Sequence, residues 1–362
     1  MIIDKIKILN FKNIENFEGE FSPKINCFAG MNGAGKTNIL DAIHYLSFSK
    51  SFFHSLDFRN IRHGEEYFAI HGYFSGNNSA DKISCVLKDG GKKQLSINDK
   101  TYKRFSDHIG KYPLIMISPY DQDLINLGSD IRRKFADMVI SQFSVEYLDS
   151  LVSYNKILLQ RNNLLKQLSE TSSSDFTLIE LLDEQLVSYG EVIHHYRKDF
   201  FSKLTPVFQK YFELISNHNE KVHLEYISQL NENNFIEHLR ENRQKDLMVK
   251  YTTVGIHKDD ISFFINDYSV KNYASQGQQK SYTIAMKLAQ FEYIKQFVQN
   301  NPILLLDDIF DKLDAIRVEN LISLVSDDNF GQVFITDTHI ERFNEIMRNV
   351  NSEIKVFKIE RK

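Results

Sequence analysis

The chain has 362 residues, 42% hydrophobic and 25% charged, with 15 Gly and 5 Pro, a globular composition that excludes disordered, collagen-like and low-complexity architectures. Lys plus Arg number 44 against 48 Asp plus Glu, a net charge of -4, so the field of the whole molecule favours neither nucleic acid nor an anionic membrane; such a partner must meet a local patch. Cys27 and Cys85 lack metal-ligand spacing, no run reaches the ~18 apolar residues of a membrane span, and charges break up the first ten residues too early for a signal-peptide core; the expectation is a cytoplasmic protein with no membrane partner.

From Ile2 to Ile70 short β-like runs alternate with turns. Lys24-Ile-Asn-Cys-Phe28 leads into a Gly-rich loop and then a helical pattern whose Ile39, Leu40, Ala42, Ile43 and Leu46 mark a buried face. Ile83-Ser-Cys-Val-Leu87 and Leu114-Ile-Met-Ile117 predict further strands, with an Asp89-Gly-Gly91 turn between them. Near Phe143 the texture changes. Leu151, Leu158 and Leu165 recur every seven residues, and beyond Ser172-Ser-Ser-Asp175 the series Leu182, Leu186, Tyr189, Ile193, Tyr196, Phe200 alternates spacings of four and three. Two antiparallel helices explain this, either as a short arm or as ordinary amphipathic helices on a globular core. β texture returns at Val222 to Ile227 and Ile261 to Ile265, a long helix follows Gly277, and Ile303-Leu-Leu-Leu306 reads as a parallel strand buried on both faces. An α/β fold is expected, with residues 1–142 and 221–362 forming one lobe and 143–220 an inserted helical lobe.

Gly30, Met31, Asn32, Gly33, Ala34, Gly35, Lys36 and Thr37 match G-x-x-x-x-G-K-[ST] in full, and Asn38 continues the stretch. The glycines let backbone N–H groups point inward at phosphate oxygens; Lys36 is expected to reach the β/γ-phosphates and the Thr37 hydroxyl to bind Mg²⁺. Ile303-Leu-Leu-Leu-Asp-Asp308 delivers two carboxylates at the end of a buried strand. Alone, an acidic strand end means little. Paired with the phosphate loop, it makes Asp307 the Mg²⁺ residue and Asp308 the one that orients or deprotonates the attacking water. Asp308 is one methylene shorter than the Glu usual in such switch enzymes, which suggests slow hydrolysis. Ser275-Gln-Gly-Gln278 has capping-box spacing, and with Gly277 allowing close approach it also suits the γ-phosphate of a nucleotide bound elsewhere.

The loop, the Ser275 signature, Asp307-Asp308 and Asp311-Lys-Leu-Asp314 in the place of a D-loop together resemble the RecF family of bacterial recombination-mediator ATPases. The resemblance runs almost end to end, through Asn10-Phe-Lys-Asn13, Arg132-Arg-Lys-Phe135, Tyr154-Asn-Lys-Ile-Leu-Leu-Gln-Arg-Asn162 and Gly255-Ile-His-Lys-Asp-Asp260. It implies an ABC-type P-loop ATPase head built from both chain ends with an inserted helical lobe, using ATP and Mg²⁺. It also implies a weak, DNA-stimulated ATPase and an ATP-dependent homodimer in which each Ser275, with Gly277 and Gln278, completes the partner's site. The implied partners are DNA at single-strand gaps and duplex junctions, bound without sequence specificity, together with RecR, RecO and RecA.

One departure is Ile256 and Lys258 where the family usually has Pro and Arg. His339 could sense the γ-phosphate or be a solvated loop residue, and Gln122 or Asp123 is the candidate Q-loop residue. Basic clusters occur at Arg59 with Arg62, Lys88 with Lys92 and Lys93, Lys100 to Arg104, Arg132 to Lys134, and Arg240, Arg243 with Lys245; none stands out on a chain balanced by acids. Two alternatives remain: another SMC-like ABC ATPase acting on DNA, and a DNA-binding module in which ATP is structural. Thr37 and Ser275 stand too close in the chain for the long rod of a chromosome organiser.

Overall fold

The computed structural model describes residues 1–76, 79–171, 175–216, 220–231, 234–310, 315–326, 329–338 and 353–360. In chain order, β1 (Ile2–Phe11), β2 (Ile14–Glu20) and β3 (Ile25–Ala29) precede α1 (Lys36–Phe48). Five strands follow: β4 (Tyr67–Gly76), β5 (Ser79–Lys88), β6 (Gln94–Ile97), β7 (Lys100–Thr101) and β8 (Leu114–Ile117). A helical stretch then runs through α2 (Asp123–Asn126), α3 (Ser129–Ile140), α4 (Val145–Thr171) and α5 (Thr177–Ser216) to β9 (Val222–Ile227). Next come α6 (Phe235–Glu241), α7 (Arg243–Val249), β10 (Asp260–Ile265), β11 (Tyr268–Ser269), α8 (Val270–Tyr273) and α9 (Gln276–Lys295). The described chain closes with β12 (Ile303–Leu306), α10 (Ala315–Ser326), β13 (Val333–Asp337) and β14 (Ile354–Lys358). Among the described residues no helix is long and apolar enough to cross a membrane.

Two compact units emerge: Met1–Asp121 with Tyr211–Asn217 and Lys280–Lys362, and Gln122–Lys210 with His218–Gln279. The second takes in more than the expected 143–220, because Arg197 of α5 pairs with Asp137 of α3 and with Asp259, and Arg161 of α4 pairs with Asp246 of α7, tying both flanks to the helices.

The first unit holds an antiparallel sheet, β2-β1-β4-β5-β6-β7, and a parallel one, β14-β3-β13-β12-β8. Helix α1 is buried nearly all round, and its Leu40, Ile43 and Leu46 share one core with Ile6 and Ile8 of β1 and with Phe28, Leu305 and Phe334 of the parallel sheet. Its buried polar residues are met by partners, Asp41 by Lys12 and His44 by the Lys50 carbonyl, which is what lets the helix sit inside. Strands β3, β8, β12 and β13 are buried along their whole length, as a parallel sheet covered on both faces requires. Their carboxyl ends share one edge, where ligands of α/β sheets bind. Cys27 and Cys85 are free thiols in the interior, and burial pushes Cys85 up to about 12.

In the second unit α4 and α5 form the two expected helices, and Leu165, Leu186, Ile193 and Phe200 of the expected series are buried, but the buried stripe also runs through residues that the series leaves out. On α4 the residues at seven-residue spacing with no exposure are Tyr147, Tyr154 and Arg161; Leu151 and Leu158 are half-buried. On α5 the buried series is Ile179, Asp183, Leu186, Gly190, Ile193, Arg197 and Phe200. Two of its members are charged. Arg161 donates to Asp183 at 2.6 Å and to Asp246 at 2.7 Å, and Arg197 donates to Asp137 at 2.8 Å and Asp259 at 3.1 Å. Each arginine therefore neutralises carboxylates that burial would otherwise penalise by several kcal/mol.

These bonds also join the Tyr154 to Asn162 and Gly255 to Asp260 stretches. Asn162 Oδ1 accepts from the Thr252 amide at 2.8 Å, and Tyr154 Oη meets His257 Nδ1 at 2.8 Å. Gly255, at φ 130°, is obligatory, since a Cβ there would lie 2.5 Å from Tyr154 Oη. Without the proline, the turn is held by Arg197 Nη1 donating to the Ile256 carbonyl at 2.8 Å.

Candidate nucleotide site

The loop after β3 is shaped by glycines that nothing else could replace. At Gly30 a Cβ would lie 2.1 Å from the Ile359 carbonyl oxygen, and Gly33 and Gly35 take φ of +78° and +107°, where L side chains are strained. Gly35 is the N-cap of α1, so the amides of the first helical turn and the positive end of the helix open on the loop. Asn13, in the β1–β2 turn, buckles this loop from outside: its Nδ2 donates to the Gly33 carbonyl at 3.0 Å while its Oδ1 accepts from Asn38 Nδ2 at 2.6 Å.

Lys36 donates from Nζ to the Gly30 and Met31 carbonyls at 2.7 and 3.0 Å, so the ammonium lies within the curl of the loop. Burial lowers its pKa, opposed by the carboxylates of Asp308, Asp307 and Asp337. Thr37 Oγ1 donates to Asp307 Oδ1 at 2.9 Å, which brings the end of β12 against the start of α1. Thr336, on β13, donates to the same Oδ1 at 2.9 Å and accepts from the Asp308 amide at 2.9 Å. Burial raises the Asp307 pKa, against the two threonine hydrogen bonds that lower it and alongside the Asp308 charge that raises it. Asp308 itself has φ 46°. A left-handed non-glycine residue of this kind costs on the order of 1 kcal/mol and points to a functional constraint.

A cleft of about 130 Å³ results, lined among others by Asn13, Gly33, Lys36, Thr37, Asp308 and Thr336. The residues fit a magnesium–nucleoside triphosphate. The loop's glycines hold a backbone that turns its amides inward, Lys36 supplies the cation, and Thr37 and Asp307 set a hydroxyl and a carboxylate oxygen side by side, hard ligands of the kind Mg²⁺ takes. Of the expected residues, Gly30 to Asn38, Asp307 and Asp308 are thus brought together. Met31 and Asn32 are exposed on the loop crest, and Ala34 donates its amide to the Met31 carbonyl at 3.2 Å. His339 and Asp311 to Asp314 lie outside the described residues. Asn13 and Thr336 are the additions: Asn13 stands in a stretch quoted above and Thr336 three residues before His339, but a lone Asn in a turn and a Thr at a strand end carry no sign of their distant contacts.

The signature belongs to the second unit. Ser275 and Gln278 close a reciprocal capping box, Ser275 N donating to Gln278 Oε1 at 2.8 Å and Gln278 N to Ser275 Oγ at 3.2 Å. Ser275 is exposed, and with its oxygen accepting in the cap, its hydroxyl proton remains to be donated. Gln278 Nε2 donates on to Glu220 Oε1 at 2.8 Å, fixing the box. Gln122 ends a 3-10 turn and Asp123 opens α2; in that turn it is Asp121 that makes the structural bond, pairing with Lys287 at 2.9 Å.

Comparison with known proteins accords with this geometry. Residues 2–362 match the family described as RecF/RecN/SMC N terminal domain. The chain is 48% identical over 362 residues to the DNA replication and repair protein RecF of Phocaeicola vulgatus, covering 99% of this chain and 97% of that protein. It is 46% identical over 359 residues to the protein of the same name from Flavobacterium johnsoniae, covering 99% and 100%. Among solved structures, one described as the recombination mediator protein RecF-ATPrS in the RecFOR pathway superposes with a TM-score of 0.87 at 30% identity, over 99% of this chain and 96% of that one. The Smc head domain of Pyrococcus furiosus shares the fold alone, with a TM-score of 0.58 at 16% identity over 99% and 94%.

Proposed function

The chain belongs to the RecF family, within the RecF/RecN/SMC group of ATPase heads, and from that premise we propose that it is an ATP-dependent DNA-binding protein of replication and recombinational repair in the cytoplasm. Two copies bind ATP and close on each other, each Ser275 donating to the γ-phosphate held by the other's loop. The closed dimer grips DNA near single-strand gaps and helps RecR and RecO load RecA. Slow hydrolysis reopens it.

The observation that carries this reading is the Thr37–Asp307 contact at 2.9 Å, beside an ammonium held inside the loop. Lys36 neutralises phosphate charge, the loop amides orient the phosphates, and Thr37 and Asp307 hold Mg²⁺, which when bound offsets the charge of the transferring phosphoryl group. Asp308, held by Thr336 at the mouth of the cleft, orients the water and accepts its proton. An exposed signature whose serine retains a free proton suits a contact completed between copies. Sizing the protein by light scattering without nucleotide, with ADP, and with ATP and Mg²⁺ tests this. A dimer is expected only in the last, and a mass that ignores nucleotide would overturn the closing dimer.

A further inference from the structure

The segment from Arg243 to Asp260 carries near-equal charge of both signs in sequence, but the fold sorts the two. Its acids are all engaged by partners, two of them buried and Asp260 partly exposed. Asp246, with no exposure, accepts from Arg161 at 2.7 Å and from Thr253 Oγ1 at 2.7 Å. Asp259, 1% exposed, accepts from Arg197 at 3.1 Å and from Tyr226. Asp260 takes a two-pronged pair from Arg132, at 2.6 and 3.0 Å. The segment's one arginine is engaged as well: Arg243 donates to Glu180 at 3.1 Å and lies over the Phe176 ring. What remains outside is Lys245, Lys250 and Lys258, all exposed and without an ion pair among the described residues. The nearest exposed carboxylate along the chain is Glu241, just before the segment.

Between these lysines stand Met248, 78% exposed, and Tyr251, 47% exposed, with Lys258 Nζ 5.0 Å from the Tyr251 ring centre. Arginine's planar fork suits carboxylates held two-pronged in the interior, and lysine's compact ammonium binds phosphate as a point charge. Exposed ammonium groups neutralise backbone phosphates, and an exposed aromatic ring beside one of them offers a stacking surface to a sugar or base. We propose that the exposed lysines of this segment, Lys245, Lys250 and Lys258, bind the phosphodiester backbone of DNA. It rests on the DNA-binding reading above and names the surface that serves it. The basic clusters elsewhere are in part spent on acids, Lys93 on Asp57, Arg104 on Asp107 and Lys134 on Asp130.

The test is fluorescence anisotropy with a duplex of about 30 bp, in ATP and Mg²⁺, over a range of salt, on wild type, K245Q/K250Q/K258Q and a control K88Q/K92Q. Each phosphate contact contributes about 0.9 to the salt slope, so the triple variant should lose about 2 to 3 from the slope and on the order of 10²-fold in affinity at 0.1 M salt. Nucleotide binding and the control's DNA affinity should be unchanged. Should the triple variant fail to fold, the three single variants should each lose about 0.9 in slope. An unchanged slope and affinity would overturn the proposal and leave the DNA-binding reading standing, including if the triple variant instead lost binding to an acidic protein. A wild type that binds no DNA in any nucleotide state would overturn that reading and this proposal with it.

Discussion

Thr37 and Asp307, 270 positions apart in the chain, share a hydrogen bond of 2.9 Å. The bond links the helix after β3 to the end of β12 and makes one site from the two ends of the sequence. Because Asp307 Oδ1 also accepts from Thr336, the carboxylate is aimed before any ligand arrives. Preorganisation of this kind lowers the cost of ordering the site at the moment of binding.

Lys36→Ala removes the ammonium held in the phosphate loop. Charge-assisted contacts to phosphate are short and strong, so ATP affinity should fall at least tenfold, and ATP-dependent dimerisation with it. Equilibrium binding of a fluorescent ATP analogue measures this; normal affinity would show that the loop is not the phosphate site.

Asp307→Asn should separate stability from function. Burial raises the pKa of this carboxyl in the folded protein, so the folded state holds its proton more tightly than the unfolded chain. Its favourable contribution is therefore present at low pH and lost as pH rises through the folded pKa, leaving a net cost at pH 7. The amide keeps an acceptor for both threonines without the charge. Without nucleotide, stability at pH 7 should rise, while the added stability from ATP with Mg²⁺ shrinks. Thermal melts with and without nucleotide check both halves, and a variant less stable on its own would contradict the first.

Ser275→Arg keeps the monomer's own phosphate loop but places bulk and charge where the copies are proposed to meet. Monomer ATP binding should persist and the dimer should be lost. A variant that still doubles its mass in ATP would remove Ser275 from the interface.

His257 reports on acid sensitivity. Burial lowers it to about 4, from about 6.5 in the unfolded chain, so the folded state binds fewer protons and stability falls as pH drops from about 6.5 toward 4. Between pH 7 and 5 this one group accounts for about 2 kcal/mol, a loss that His257→Gln should not show. Urea unfolding of both proteins at the two pH values decides it; equal losses would mean that His257 is not neutral in the fold.

The site was legible where the chemistry is contiguous. Gly30 to Thr37 needs its residues adjacent, because consecutive amides must face one phosphate chain, so the pattern survives in sequence. The helical pair was legible as helices and only partly in phase. Apolar periodicity finds the buried Leu165, Leu186, Ile193 and Phe200 together with the half-buried Leu151 and Leu158, and it misses the buried Tyr147, Tyr154, Arg161, Asp183 and Arg197. A charge in the interior is invisible to a hydrophobic pattern, since what makes it tolerable is a partner such as Asp246, 85 residues from Arg161. Asn13 and Thr336 escaped for the same reason: each acts through one distant contact.

In the proposed cycle hydrolysis is the step that opens the dimer on DNA, and Asp308→Asn isolates that step. Asn tolerates the left-handed backbone of position 308 and leaves Asp307 beside Thr37, but it removes the carboxylate that would take the proton of the water. Binding and closure should survive, and hydrolysis should fall by about 10²-fold or more. The decisive measurement is the rate at which wild type and variant leave a gapped duplex in ATP and Mg²⁺. The variant should remain bound for as long as ATP is present, whereas a variant that dissociates or hydrolyses ATP as fast as wild type would show that Asp308 is only the end of a strand and that the opening step lies elsewhere.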